Sequence, residues 1–207
     1  MNKQLLVDVR PFEISRQKID ESIKENKGRL VVKGVLQRAE SKNQNGRVYP
    51  REVLLREVGK YLETNVQERR ALGELDHPES SVVNLNNASH NVLEMHWDGD
   101  DLLGTVEVLS TPAGNILKEL FRSGIKLGIS SRGLGSVEPV NEADGEDGTV
   151  EVQPDFELIA FDFVSNPSTH GAFMYPMNES VDKDLPAGRT CGEYCKVEAI
   201  INDIMRG

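Results

Sequence analysis

Three short stretches of this sequence carry side chains that could do chemistry together. The first is GELDHP, where His77 follows two acids, Glu74 and Asp76, and precedes Pro78. A histidine in such a turn can be reached by a substrate, and an imidazole titrating near neutrality suits general-base work. The second is GISSRGLG, with Ser130 and Ser131 flanked by glycines and followed by Arg132. A nucleophilic serine needs an exposed hydroxyl, a base for its proton and N–H groups aimed at the developing oxyanion. Glycines let backbone and substrate approach closely enough for that. The third is Asp162 in AFDFVSNPS. A carboxylate among apolar residues needs a partner if buried, and orienting an imidazole is one such partnership. Each stretch also has a plainer reading: a capping or surface histidine, an ordinary bent strand, and a strand-edge aspartate facing solvent opposite Phe161 and Phe163. The other histidines are His90, His96 and His170. They form no His-x-x-x-His or His-Glu-x-x-His spacing, so the signal for a zinc site is weak. A metal-dependent hydrolase using His77, His90 and nearby acids stays open as an alternative.

These residues need elements to position them. Val- and Leu-rich runs at 3–9 and 29–37 read as strands, with a short helix or long loop at 13–28 between them. The Asn-Gly and Pro50 around 40–50 mark a loop, and Val53, Leu54, Val58, Tyr61 and Leu62 then recur at helical spacing over 51–64. Residues 71–90 are mostly turn formers, and a loop of that length is often functional. Strands at 91–97 and 102–109 flank DGDD as an antiparallel hairpin. Thr111-Pro112 opens a helix that Gly124 ends. Strands follow at 125–137, about 149–153 and 156–164, with an acidic turn at 141–148 and loop from 165 to 179. A polar linker then leads to a short helix at 193–205. Helices scattered among antiparallel strands indicate an α+β fold with a sheet or barrel core.

The chain has 207 residues and a net charge of -10, which argues against direct nucleic-acid binding by the whole chain. The charge is uneven. Residues 1–70 carry 16 basic and 10 acidic side chains, and residues 71–207 carry 8 and 24. Solvated surface accounts for this, as does an acidic face meeting a basic partner. No apolar run reaches the roughly 18 residues of a membrane span, and the N-terminus has no secretory pattern. Cys191 and Cys195 lack a second pair that would complete a zinc site or a disulfide framework.

Four segments occur in order: NQNGRVYP ending at Pro50, ALGELDHP at 71–78, LGISSRGLGS at 127–136 and FDFVSNPS at 161–168. With DLLGTVEVLSTPAGNILKELFRSG between them, they resemble the prohead core proteases of tailed bacteriophages of the T4 type, over about residues 30–175. That family is similar in fold to the herpesvirus maturation proteases. The resemblance therefore implies a mostly antiparallel β-barrel surrounded by helices. It also implies a serine endopeptidase in the host cytoplasm, inside the assembling prohead, needing no cofactor and no metal. Residue by residue, it makes His77 the general base, Ser130 the nucleophile and Asp162 the orienting third member. Ser131 is the competing nucleophile, and Glu74 or Asp76 could assist His77 instead of Asp162. Backbone N–H groups around Ser131–Gly133, with Arg132 as a side-chain contributor, would form the oxyanion hole. Residues 1–178 would be the protease domain and 179–207 a linker and helix open to removal.

The substrates implied are scaffold or core proteins, the capsid protein and the protease itself, with a homo-oligomer possible and no membrane involved. Relatives prefer a glutamate before the cut with an aliphatic residue two positions earlier. Ile23-Lys24-Glu25 and Leu117-Lys118-Glu119 have that form. A reading from a different class is a non-catalytic capsid scaffold component with the same fold.

Overall fold

The computed structural model describes residues 16–78, 80–140 and 148–177. The expected strand at 3–9, most of the acidic turn at 141–148, both cysteines and the 193–205 helix lie outside them. In chain order, α1 (Arg16–Glu25), β1 (Val31–Arg38) and β2 (Arg47–Val48) lead to α2 (Arg51–Tyr61) and a π-helical turn, Leu62–Val66. Then come β3 (Leu72–Glu74), β4 (Ala88–Asp98), β5 (Asp101–Val108) and α3 (Pro112–Arg122). The last elements are β6 (Gly128–Leu134), β7 (Val137–Pro139), β8 (Val150–Val152), β9 (Glu157–Val164) and β10 (Met174–Pro176).

Local signals account for most of these bounds. The hairpin β4–β5 closes around Gly99 and Asp100, with Asp98 opposite Asp101 and Gly99 at φ 58°. Thr111 caps α3 by accepting the Gly114 N–H, and Gly124 follows the helix at φ 76°. The 13–28 segment is helical in α1, where Ile19 is fully buried. Strands β2, β3 and β10 are two or three residues long and fall in stretches expected to be loops. Such short pairings are set by distant partners, and local composition does not announce them.

The strands form three ladders. One sheet runs β10-β1-β5-β4-β3, a second β2-β8-β7 and a third β6-β9. All pairs are antiparallel except β2 with β8. The α+β class therefore holds, but the described residues form no closed barrel. Only single bridges, Leu75–Phe163 and Gly128–Phe173, reach from the two-stranded sheet to its neighbours. Beside β3, the C=O of Phe161 accepts a hydrogen bond from the His90 side chain, at 2.9 Å.

The main core gathers residues from β1, β4, β5, α3 and β9, among them Val32, Leu36, Val106, Leu117, Phe121, Phe161 and Phe163. Phe163 packs edge-on against His90 and Phe121, and Phe161 against Tyr61. Burying each of these rings contributes roughly 1.5–3 kcal/mol. That packing fixes β9, the strand that carries Asp162. A second cluster of Tyr49, Val53, Leu54, Val152 and Phe156 seats α2 against the three-stranded sheet.

Candidate functional site

Strands β6 and β9 pair with Ser130 opposite Asp162 and Ser131 opposite Phe161. Directly opposed residues share a face of the sheet, and successive residues alternate. Ser130, Arg132 and Asp162 therefore lie on one face, while Ile129, Ser131, Phe161 and Phe163 lie on the other. The register slips between Arg132 and Gly133. This irregularity interrupts the ladder next to the serines, a feature common beside functional sites.

His77 arrives from the end of β3. Leu75 bridges Phe163, and the Asp76 N–H donates to the Phe163 C=O at 2.8 Å. Asp76 then turns the chain at φ 70°, a left-handed conformation that aspartate tolerates better than most residues. Its carboxylate accepts the His77 N–H at 2.9 Å. The chain thus swings His77 beside Asp162, the neighbour of Phe163. Close approach of β3 to β9 also requires Gly73. A methyl group there would overlap the Phe161 carbonyl oxygen and the His90 ring.

The result is a hydrogen-bonded pair. His77 Nδ1–H donates to Asp162 Oδ2 at 2.9 Å, and this leaves Nε2 as the acceptor nitrogen. Asp162 is fully buried, whereas the His77 side chain is 39% exposed. Asp162 is therefore no strand-edge carboxylate facing solvent. Burial alone would push its carboxyl up. Bonds from His77, Arg132 and the Glu74 N–H, with the Arg132 charge, outweigh burial and hold it below the usual carboxylate range.

Arg132 is 9% exposed and faces inward. Its Nε donates to Asp162 Oδ2 at 2.7 Å, Nη2 to Glu74 Oε1 at 3.0 Å and Nη1 to the Ser80 C=O at 2.6 Å. Burial works against its charge, but the two carboxylates more than offset this and raise its pKa further. The guanidinium thus serves Asp162 and Glu74. The backbone N–H groups of Ser131–Gly133 remain the oxyanion candidates on this strand. Glu74 meets Arg132, and Asp76 meets the His77 backbone, so neither carboxylate bonds the imidazole.

The two serines have different partners. Ser130 is 3% exposed, against the expectation of an exposed nucleophile, and its Oγ lies 2.9 Å from Ser168 Oγ. Among the described residues no hydrogen bond joins Ser130 to His77. Ser131 Oγ accepts from Gln37 Nε2 at 2.8 Å, and Gln37 Oε1 in turn accepts from the Thr169 hydroxyl. The loop after β9 therefore touches both serines, one directly and one through Gln37. Ser168 lies inside FDFVSNPS, and a hydroxyl close behind a strand is its only local signal.

His90 belongs elsewhere. Its Nε2–H donates to the Phe161 C=O, so Nδ1 accepts from Ser89 Oγ, at 2.8 Å. With both ring nitrogens engaged, His90 does not join His77 in a shared site. His96 and His170 are exposed. Burial pushes the His90 pKa down to about 4, against bonds and charges that favour protonation. The unfolded chain takes up this proton as pH falls through about 6.5, while the folded chain refuses it until about 4. Stability should therefore drop by about 3 kcal/mol from this group as pH falls across that window. Urea unfolding at pH 7 and pH 4.5 should show the slope in the wild type, flattened in His90→Gln, whose amide can still donate to Phe161. An equal slope in both would remove His90 as its source.

No described helix is long and apolar enough to cross a membrane. Residues 5–182 match the family described as prohead core protein serine protease. Over 150 residues the chain is 35% identical to the prohead core protein protease of Enterobacteria phage T4, spanning 71% of this chain and 68% of that one. It also matches the solved structure of the bacteriophage T4 capsid assembly protease, with a TM-score of 0.60 and 33% identity. That match covers 65% of this chain and 80% of the other. By the match over residues 5–182, the 35% identity to that relative and the shared fold, the chain belongs to the prohead core protein serine proteases.

Proposed function

We propose that the protein is a serine endopeptidase of capsid maturation in which Ser130, His77 and Asp162 act together. Ser130 Oγ attacks a peptide carbonyl carbon while His77 Nε2 accepts its proton. Asp162 holds the imidazole through Nδ1 and stabilises the imidazolium. The tetrahedral adduct collapses as His77 returns the proton to the leaving amine. Water, activated by the same nitrogen, then releases the acyl group from Ser130. Backbone N–H groups of Ser131–Gly133 stabilise the oxyanion.

What carries this reading is the 2.9 Å His77–Asp162 bond with Ser130 directly opposite Asp162 on the same sheet face. Ser131 sits on the other face and is tied to Gln37, which favours Ser130 as nucleophile. The Ser168 hydroxyl on Ser130 must give way, or turn to donate, when Ser130 meets His77.

The substrates under this reading are scaffold and capsid proteins within the prohead, and the protease itself. Residues 1–178 form the protease unit and 179–207 a removable tail. Of the two segments resembling cleavage sites, Leu117–Glu119 lies within α3 with Leu117 fully buried, so it is protected. Glu25 is the last residue of α1 and is the more accessible of the two. Cleavage of the cognate scaffold and capsid proteins, with new termini mapped by mass spectrometry, tests the assignment. New termini should appear with wild-type protein and be absent with Ser130→Ala. Identical termini with both would refute it.

A further inference from the structure

Glu74 is fully buried and takes no part in the proton path just described, yet its N–H meets Asp162 and its carboxylate meets Arg132. Its N–H donates to Asp162 Oδ1 at 3.0 Å. Its Oε1 accepts from Arg132 Nη2 and from the Asn84 N–H, both at 3.0 Å, while Oε2 has no hydrogen-bond partner. Arg132 meanwhile holds the Ser80 C=O and both oxygens of Asp162. One buried Glu–Arg pair therefore ties Asp162 to both sides of the loop that follows His77.

The charges explain why a second carboxylate is there. A carboxylate that orients an imidazole also stabilises the imidazolium formed during attack. Arg132 lies on Asp162 Oδ2, the same oxygen that accepts from His77, and a neighbouring cation opposes a second positive charge. An Asp162–Arg132 pair alone is neutral. Adding Glu74 restores a net charge of minus one around a neutral His77, which proton transfer then neutralises. A buried ion pair is weak support for stability, so a functional account of this one has weight.

We propose that Glu74 is a positioning residue of this site, acting through Arg132 to keep Asp162 available to His77. The proposal rests on the Ser130–His77–Asp162 reading above. Its test uses full-length protein and a peptide copied from a junction mapped in the cleavage assay. The variants are Glu74→Gln, Arg132→Met, the two combined, and Ser130→Ala as control. Glutamine is near-isosteric and still offers an acceptor to Asn84, and thermal melting checks that each variant folds.

Glu74→Gln should lower kcat by tenfold or more at nearly constant KM. The low-field proton signal of His77 Nδ1–H should move upfield as Arg132 draws Asp162 away. The double variant, with both buried charges removed, should recover most of the lost kcat, because Asp162 then faces His77 without a competing cation. A merely structural role predicts double losses at least as large as either single loss. Unchanged kcat and an unmoved proton signal in Glu74→Gln would overturn the proposal, as would a double variant no better than Glu74→Gln. If Glu74→Gln does not fold, the double variant is compared with wild type: activity within about tenfold supports the proposal and complete loss overturns it. Activity retained in Ser130→Ala would instead refute the underlying reading, so the two failures are distinguishable.

Discussion

Ser130→Ala should lower kcat for peptide cleavage by about 10⁴-fold or more, while Ser131→Ala stays within about tenfold of wild type. The asymmetry follows from strand geometry. Adjacent residues of β6 project to opposite faces, and only Ser130 shares a face with its cross-strand partner Asp162. Ser131 is held by Gln37 on β1, and its loss removes one hydrogen bond, at a cost of about 1 kcal/mol in stability. Ser130→Ala removes the atom that becomes acylated, and no neighbouring hydroxyl replaces it on that face of β6. The Ser168 hydroxyl is the nearest substitute, from the loop after β9. Steady-state kinetics on one peptide, with circular dichroism to confirm folding, separates the two serines. Normal cleavage by Ser130→Ala with loss in Ser131→Ala would reverse the assignment.

Asp162→Asn should be the next most damaging change, with kcat reduced by about 10⁴-fold at neutral pH. An amide turns a donor toward groups that are themselves donors. His77 Nδ1–H loses its acceptor, so the tautomer with the proton on Nε2 becomes favoured, and that nitrogen can no longer take the Ser130 proton. Arg132 also loses its principal anion while staying buried, and breaking such a pair typically costs about 3–5 kcal/mol. The remaining Glu74 contact moderates that loss. The pH dependence has a definite sign. Because the folded protein holds Asp162 below the usual carboxylate range, its stabilising contribution is complete above that range. It fades as pH falls through the lowered value. Asp162→Asn should therefore unfold at lower urea than wild type at pH 7, with the difference narrowing in strong acid. A constant difference down to strong acid would mean that Asp162 does not supply it.

Much of the proposed site was legible in the sequence. His77, Ser130 and Asp162 each sit in a segment whose composition suits the role proposed for it, and the hairpin and the cap at Thr111 follow from local rules. What local rules could not show was pairing. The register that sets Ser130 opposite Asp162 depends on two strands about thirty residues apart in sequence. Arg132 reads as an oxyanion contributor when GISSRGLG is taken alone. Alternation along β6 puts it on the Ser130 face, where the buried Asp162 and Glu74 make it an inward anchor. Glu74 itself lies between Gly73 and Leu75, a charge in an apolar strand whose partner is 58 residues away. The barrel expectation failed for a similar reason. Closure depends on backbone ladders between distant strands, which local composition does not announce.

In the proposed mechanism one hydroxyl, Ser130 Oγ, is activated by His77. A peptidyl phosphonate built on a mapped cleavage junction tests it directly, because such a reagent phosphonylates an activated serine and stays attached. Peptide mapping of the full-length protein should find one phosphonyl group, on Ser130, with the modification strongly slowed in His77→Ala. A phosphonyl group on Ser131 or Ser168, or equally fast modification of Ser130 without His77, would contradict the account.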